Sequence, residues 1–425
     1  MKKLLSLLLA LTLCAICFTS CGKDKVEQDE NFYYNLLENN TYGVSLKNTE
    51  LTDIAFPSSF KGLPVTRIER SEFVSSKEIK VTLPNSITEI GDGAFAGLWG
   101  LKSITISASV TTIGNSAFSG CSNLESVIFE EGSQLTTLSA HAFSSCTALT
   151  SFTIPDTVSY LGDRAFSFCT NLREITLPSS ADSIGAWMFH GCSSLETVTV
   201  PEGIVNIGDR AFHGCSALKT VNLPNSATYI GNYTFSGCAS LETVASPKGI
   251  SYIGTEAFYN CEKLKELKIS GDIQTVSTDA FKGCTKLSFN EYDNALYLGN
   301  DSNPYLVLVK AKNAEISSCD IPDTTKIICD SAFAYCEFLY EVNIGSSVKH
   351  INRCAFYNCI ELNFITIPLS VTEIGEFTFY GCKDLYEPKY MGTYNEWLKI
   401  NIGASWNEES NIYAINCSDH MLYIE

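Results

Sequence analysis

The sequence predicts a repeat solenoid: a parallel β-sheet with short helical or 3₁₀ turns, about 13 coils of 23 residues, one β-hairpin insertion and a small C-terminal cap. Three observations carry that prediction. An A-F or similar pair recurs from Phe95 to Phe281 and again from Phe333 to Phe379, at steps of 23 residues except for one of 25 and one of 52. The apolar positions around it keep their phase, and Leu195, Val198, Val200, Pro201, Ile204, Ile207, Gly208 and Phe212 form one full set. Within each unit a run such as T-V-T-V at 197–200 alternates polar and apolar, the pattern of a strand with one buried face. A unit this short cannot bury its own apolar side and must stack on copies of itself.

Each part of the unit has a physical reading. Pro201 ends the strand, and I-V-N-I supplies a second extended piece. Gly208 is expected to take a positive φ and turn a corner. D-R-A-F-H-G-C is too short for a helix of its own, so it reads as one helical or 3₁₀ turn that drops Phe212 inward. At a strand spacing of roughly 4.8 Å, such a stack is about 60 Å long.

The pattern L-x-x-I-x-I-P-x-S-V-x-x-I-G-x-x-A-F-x-G-C resembles the BspA-like leucine-rich repeat of bacterial surface proteins, over roughly residues 40 to 425. The resemblance implies a leucine-rich-repeat-like solenoid and an adhesive or host-facing role. It names no ligand, because one fold serves many sites.

Taken in order, the chain opens with Lys2 and Lys3 and an apolar run from Leu4 to Phe18. That run is short for a membrane span and suits the core of a signal peptide, read as residues 1–20. F-T-S-C resembles a bacterial lipobox, with Phe18 standing where Leu is usual, so Cys21 is expected to be lipidated; an ordinary secretory signal without lipid is the alternative. The charged stretch G-K-D-K-V-E-Q-D-E lies within a flexible tether over 21–39. The solenoid is placed at 40–385. It begins with a degenerate coil, as solenoid ends do, and an insertion at about 288–318 has two alternating runs flanking Gly299 to Pro304 that read as a β-hairpin. The period stops near Leu385. Residues 386–425, with Tyr390, Tyr394, Trp397, Trp406, Tyr413 and Tyr423, read as a C-terminal cap or, alternatively, as an aromatic carbohydrate surface.

Little in the sequence points to catalysis. Eleven cysteines, Cys121 to Cys382, share one phase of the repeat and behave as small buried hydrophobes. Stacking keeps their Cβ vectors parallel, whereas a disulfide needs them to converge. Without C-x₂-C pairs, zinc is not expected. Cys319, Cys329, Cys354 and Cys417 lie off the ladder, and a bridge between Cys329 and Cys354 stays open. His190 and His213 share one phase and read as turn residues, a surface metal pair being the alternative. Cys417, Asp419 and His420 are too close in sequence to face one another as nucleophile and base. No enzyme, cofactor or metal is expected.

Removing residues 1–20 leaves 27 basic against 47 acidic groups, a net charge of −20. Such a charge disfavours nucleic acid and anionic membranes as partners, so membrane contact is expected only through the lipid. The outward side chains of the strands, among them Glu174, Thr176, Thr197, Thr199, Thr220 and Asn222, should stack into a polar two-column surface. It is either a solvated face or the ligand-binding site. The expected function is a monomeric, lipid-anchored protein at the bacterial cell surface that adheres to a protein of a host or neighbouring cell. The alternative is a glycan or cell-wall polysaccharide module using the C-terminal aromatics.

Overall fold

A computed structural model describes residues 26–72, 77–245, 249–277 and 279–424. Residues 1–20 and Cys21, read above as signal peptide and lipidation site, lie outside the described residues. Each regular coil contributes a three-residue strand such as Thr197–Thr199 and a two-residue strand such as Asn206–Ile207. Both pair in parallel with the coil before and after: Glu174, Thr197 and Thr220 form one rung series, and Ser183, Asn206 and Tyr229 another. Alternation along Thr197–Thr199 leaves Val198 buried and both threonines exposed, as period two requires.

The expected helical turn is absent, and the reason lies in the sign of φ. Arg210 sits at φ +56° and Gly214 at +75°, and two left-handed residues in five cannot belong to a right-handed helix. The amides instead alternate. Those of Ala211, His213 and Cys215 donate to Gly208, Arg210 and Phe212 within the turn, while those of Arg210, Phe212 and Gly214 donate to Asn232, Thr234 and Ser236 of the next coil. The turn is thus a third ribbon of coil-to-coil hydrogen bonds. Gly208 also differs from expectation, for its φ is not positive. A Cβ there would lie 2.7 Å from the amide nitrogen of Ala186, so glycine is needed for close approach of adjacent coils.

Inside, the phenylalanines form a stacked column: Phe189, Phe212 and Phe235 are fully buried, with successive ring centroids 5.3 Å apart. The turns number about 16, more than the expected thirteen, because both ends extend the stack. Asp53–Ala55 pairs in parallel with Lys80–Thr82, and Lys389–Tyr390 and Asn401–Ile402 pair with the coils before them. At the N-terminal end an antiparallel run, Phe32–Leu36 with Tyr42–Leu46, covers the first coil and places Phe32 against Phe56, which meets Phe95. The stretch from Glu27 to Leu36, expected within a flexible tether, is instead part of the fold, because Phe32 and Tyr34 bury themselves on the open end of the stack. At the other end Tyr390 and Trp397 are buried, and Trp406 meets Phe379 edge-on at 6.0 Å. Three of the six C-terminal aromatics therefore close the core, and Tyr413 and Tyr423 are exposed. The only described α-helix is the four-residue Tyr394–Trp397, opened by a capping box of Thr393 and Glu396.

The insertion interrupts the column. Asn290–Tyr292, Ala295–Leu298 and Val307–Ala311 form an antiparallel meander, and Val307–Leu308 then pairs in parallel with Ile327–Ile328. The meander's last strand is a rung of the stack, not a decoration outside it.

Candidate functional site

The strand face is a regular surface over successive coils. Glu174, Thr197, Thr220 and Thr243 align as one column, and Thr176, Thr199, Asn222 and Ala245 as the second, every side chain exposed. The structure therefore brings together all six residues singled out from the sequence. Parallel pairing on both sides fixes their spacing, and the buried Ile175, Val198 and Val221 beneath them anchor each strand to the core. The result is regular and rich in hydroxyls, suited to hydrogen bonding with an extended surface.

Charged pairs border these columns. Lys219 meets Glu196 at 2.6 Å and Lys265 meets Glu242 at 2.7 Å, one coil apart in each case. The lysine hydrogen bond holds each glutamate below its ordinary pKa. These are exposed pairs, worth little to stability. They neutralise acids beside the face. The face ends at a cavity of about 330 Å³ between Glu266, Lys268, Asn290 and the Gly299–Pro304 turn, where Lys268 pairs with Asp301 at 2.9 Å. A second cavity, of about 390 Å³, opens where the phenylalanine column breaks, with Val276, Phe281, Phe289 and Val309 along its wall.

The other candidates are scattered. All eleven ladder cysteines are buried, and all but Cys336 donate the thiol to a phenylalanine carbonyl of the preceding coil, as Cys215 does to Phe189 at 3.1 Å; Cys336, which follows the insertion, reaches the Asn313 carbonyl at 3.9 Å. Cys329 and Cys354 are both free thiols. His190 and His213 stack at 5.0 Å, and the Nδ1 atoms of both are buried without a described partner. His420 pairs with Asp419 at 3.2 Å and meets the Tyr394 ring, while Cys417 is buried. Among the described residues no three histidine, cysteine or acidic side chains gather as a metal site, and no helix is long and apolar enough to cross a membrane.

Sequence reasoning missed one cluster. Arg164, Trp187, Arg210 and Tyr233 share the first left-handed position of four successive coils and stack as a cation–π ladder. Their common phase, one repeat apart, was the signal.

Comparison with known proteins agrees with this architecture. Residues 40–173, 160–288 and 311–425 match the model of the BspA type leucine rich repeat region, in 6 copies. A solved leucine-rich repeat protein from Bacteroides ovatus is 25% identical over 91% of this chain and 98% of its own, with a TM-score of 0.55. A leucine rich cell surface protein from Faecalibacterium prausnitzii is 23% identical, covering 88% of this chain and 97% of its own with a TM-score of 0.43. A T. pallidum leucine rich repeat protein is 28% identical over 51% of this chain and 91% of its own, with a TM-score of 0.40. No curated protein matches the chain.

Proposed function

Because the chain belongs to the BspA-type leucine-rich repeat family, we propose that it is a lipid-anchored cell-surface adhesion protein whose strand face engages a protein of a host or neighbouring cell. Solenoids of this family are typically non-enzymatic binding scaffolds, and its members are generally cell-surface proteins. The observation that carries the reading is the register-locked pair of columns through Thr197 and Thr199, rigid and exposed over successive coils. Rigid presentation lowers the ordering cost of binding.

Replacing Thr197, Thr199, Thr220 and Asn222 together with Lys tests it. These side chains contact solvent, so the melting temperature and circular dichroism stay as they are. Binding to extracellular-matrix protein or to whole partner cells falls. If binding survives and is lost on changing the exposed Tyr413 and Tyr423 to Ala, the face is only a solvated sheet and the polysaccharide reading at the C-terminus replaces it. The anchor is tested separately: labelled palmitate enters the wild type and not Cys21→Ser, which leaves the membrane fraction. Label in the variant, or none in the wild type, overturns lipidation.

A further inference from the structure

We propose a second binding surface, on the turn edge and not on the strand face, in which Arg164, Trp187, Arg210 and Phe168 take an acidic polysaccharide. The guanidinium carbon of Arg164 lies 4.8 Å from the Trp187 ring centroid, and that of Arg210 lies 4.5 Å from Trp187 and 4.3 Å from Tyr233. A guanidinium stacked on a ring keeps its planar N–H edge free and oriented for an oxyanion. Arg67 and Arg353 spend that edge on Glu89 and Glu376. Arg164 and Arg210 form no ion pair among the described residues.

The nearest acids in sequence have other work. The Asp163 carboxylate accepts the Ala186 amide at 2.8 Å, and Asp209 accepts the Asn232 amide at 2.8 Å and its side-chain amide at 3.2 Å. The ladder is also held rigidly, since the amides of Arg164, Trp187, Arg210 and Tyr233 all donate to the following coil. Left-handed backbone is costly for bulky residues, and at this phase the other coils carry residues as varied as Gly93, Ser116, His141, Glu256, Asp279 and Phe377. The fold therefore leaves the residue type open here, and two arginines alternating with two aromatics over four successive coils are particular to this stretch.

The choice of polysaccharide rests on the aromatic beside the cations. Phe168 is 48% exposed, and its ring meets His190, which in turn meets Trp187, each at 4.8 Å between centroids. An open aromatic face next to guanidinium edges fits a sugar ring bearing a carboxylate or sulfate: C–H groups on the ring, anion on the fork. The two arginines stand two coils apart, about 10 Å along the axis, so a chain charged on alternate sugars lying along the solenoid meets both. The acidity of the whole molecule does not preclude this, because charges beyond about 10 Å are screened at 0.1 M salt.

The test uses full-length protein with heparin, polygalacturonate, poly-glutamate and neutral dextran. The wild type binds at least one of the two acidic polymers and not dextran, and which of the two it prefers distinguishes sulfate from carboxylate. In Arg164→Gln/Arg210→Gln, with melting unchanged, affinity falls by about tenfold or more. Arg164→Lys/Arg210→Lys keeps the charge and loses the stacked fork, so affinity falls there too, and Phe168→Ala weakens binding to the same polymer. Binding equal to wild type in either double variant overturns the proposal. So does a wild type that binds poly-glutamate and neither polysaccharide, which would make the ladder an acidic-peptide site.

Discussion

The thiol of Cys215 donates to the carbonyl oxygen of Phe189 at 3.1 Å, and Cys192 and Cys238 repeat the bond to Phe166 and Phe212. Each of these carbonyls already accepts the amide of the cysteine in its own coil, as Phe189 does from Cys192 at 3.0 Å, so the thiol adds a second, coil-to-coil hydrogen bond to the same oxygen. Burial pushes the Cys121, Cys169 and Cys382 thiols up to about 12, so they are protonated and inert at neutral pH. In native protein at pH 8, a thiol reagent should label chiefly Cys354, which is half-buried, while denatured, unreduced protein should yield all the ladder thiols. A count near zero after denaturation would mean the coils are stapled.

Removing the ring of Phe212, flanked by Phe189 and Phe235, opens a hole in a close-packed column. Phe212→Ala should lower stability by about 3–5 kcal/mol in denaturant melts. Coils interact mainly with neighbours, so amide exchange should quicken first around residues 189–235 and leave the ends protected. Uniform quickening along the chain would show that the stack unfolds as one unit.

Gly208 offers a sharper probe of coil spacing. Its missing Cβ would meet backbone of the preceding coil, which cannot move aside as a side chain can. Gly208→Ala should cost about 1–3 kcal/mol, measured by the same melts. An unchanged melting point would contradict the close approach.

How far the sequence could be read follows from these residues. Phe212 and Cys215 were legible because burial repeats with the period, and so were Thr197 and Thr199, because alternation alone decides which side of a strand a residue takes. Gly208 was misread and the turn taken as helical, since periodicity reports which positions are apolar and is silent on the sign of φ. Arg210 and Gly214, which carry the positive φ, do not differ from helix formers in hydrophobic pattern. Arg164, Trp187 and Arg210 escaped notice for a related reason: their stacking is between coils at an exposed phase, where residue type varies from turn to turn.

The stacked pair His190 and His213 predicts a loss of stability in mild acid. Burial holds both imidazoles below their ordinary pKa, aided for His190 by His213 and by the Arg164 and Arg210 charges and for His213 by Arg210; Glu256 pulls weakly the other way on His213. In the unfolded chain each takes up a proton at about 6.5. Where the unfolded state binds more protons, stability rises with pH, so it is complete above about 6.5 and falls as pH drops below that value toward the folded pKa. Carboxylates such as Glu196 and Glu242, held low by their lysines, lose their contribution only at more acid pH, leaving the window from pH 7.5 to 5.5 to the histidines. Melting temperature should decline across that window in the wild type. In His190→Asn/His213→Asn the decline should be smaller, with a remainder from His141, whose pKa is also lowered by burial. Parallel declines in the two proteins would show that the pair is protonated as readily in the fold as outside it.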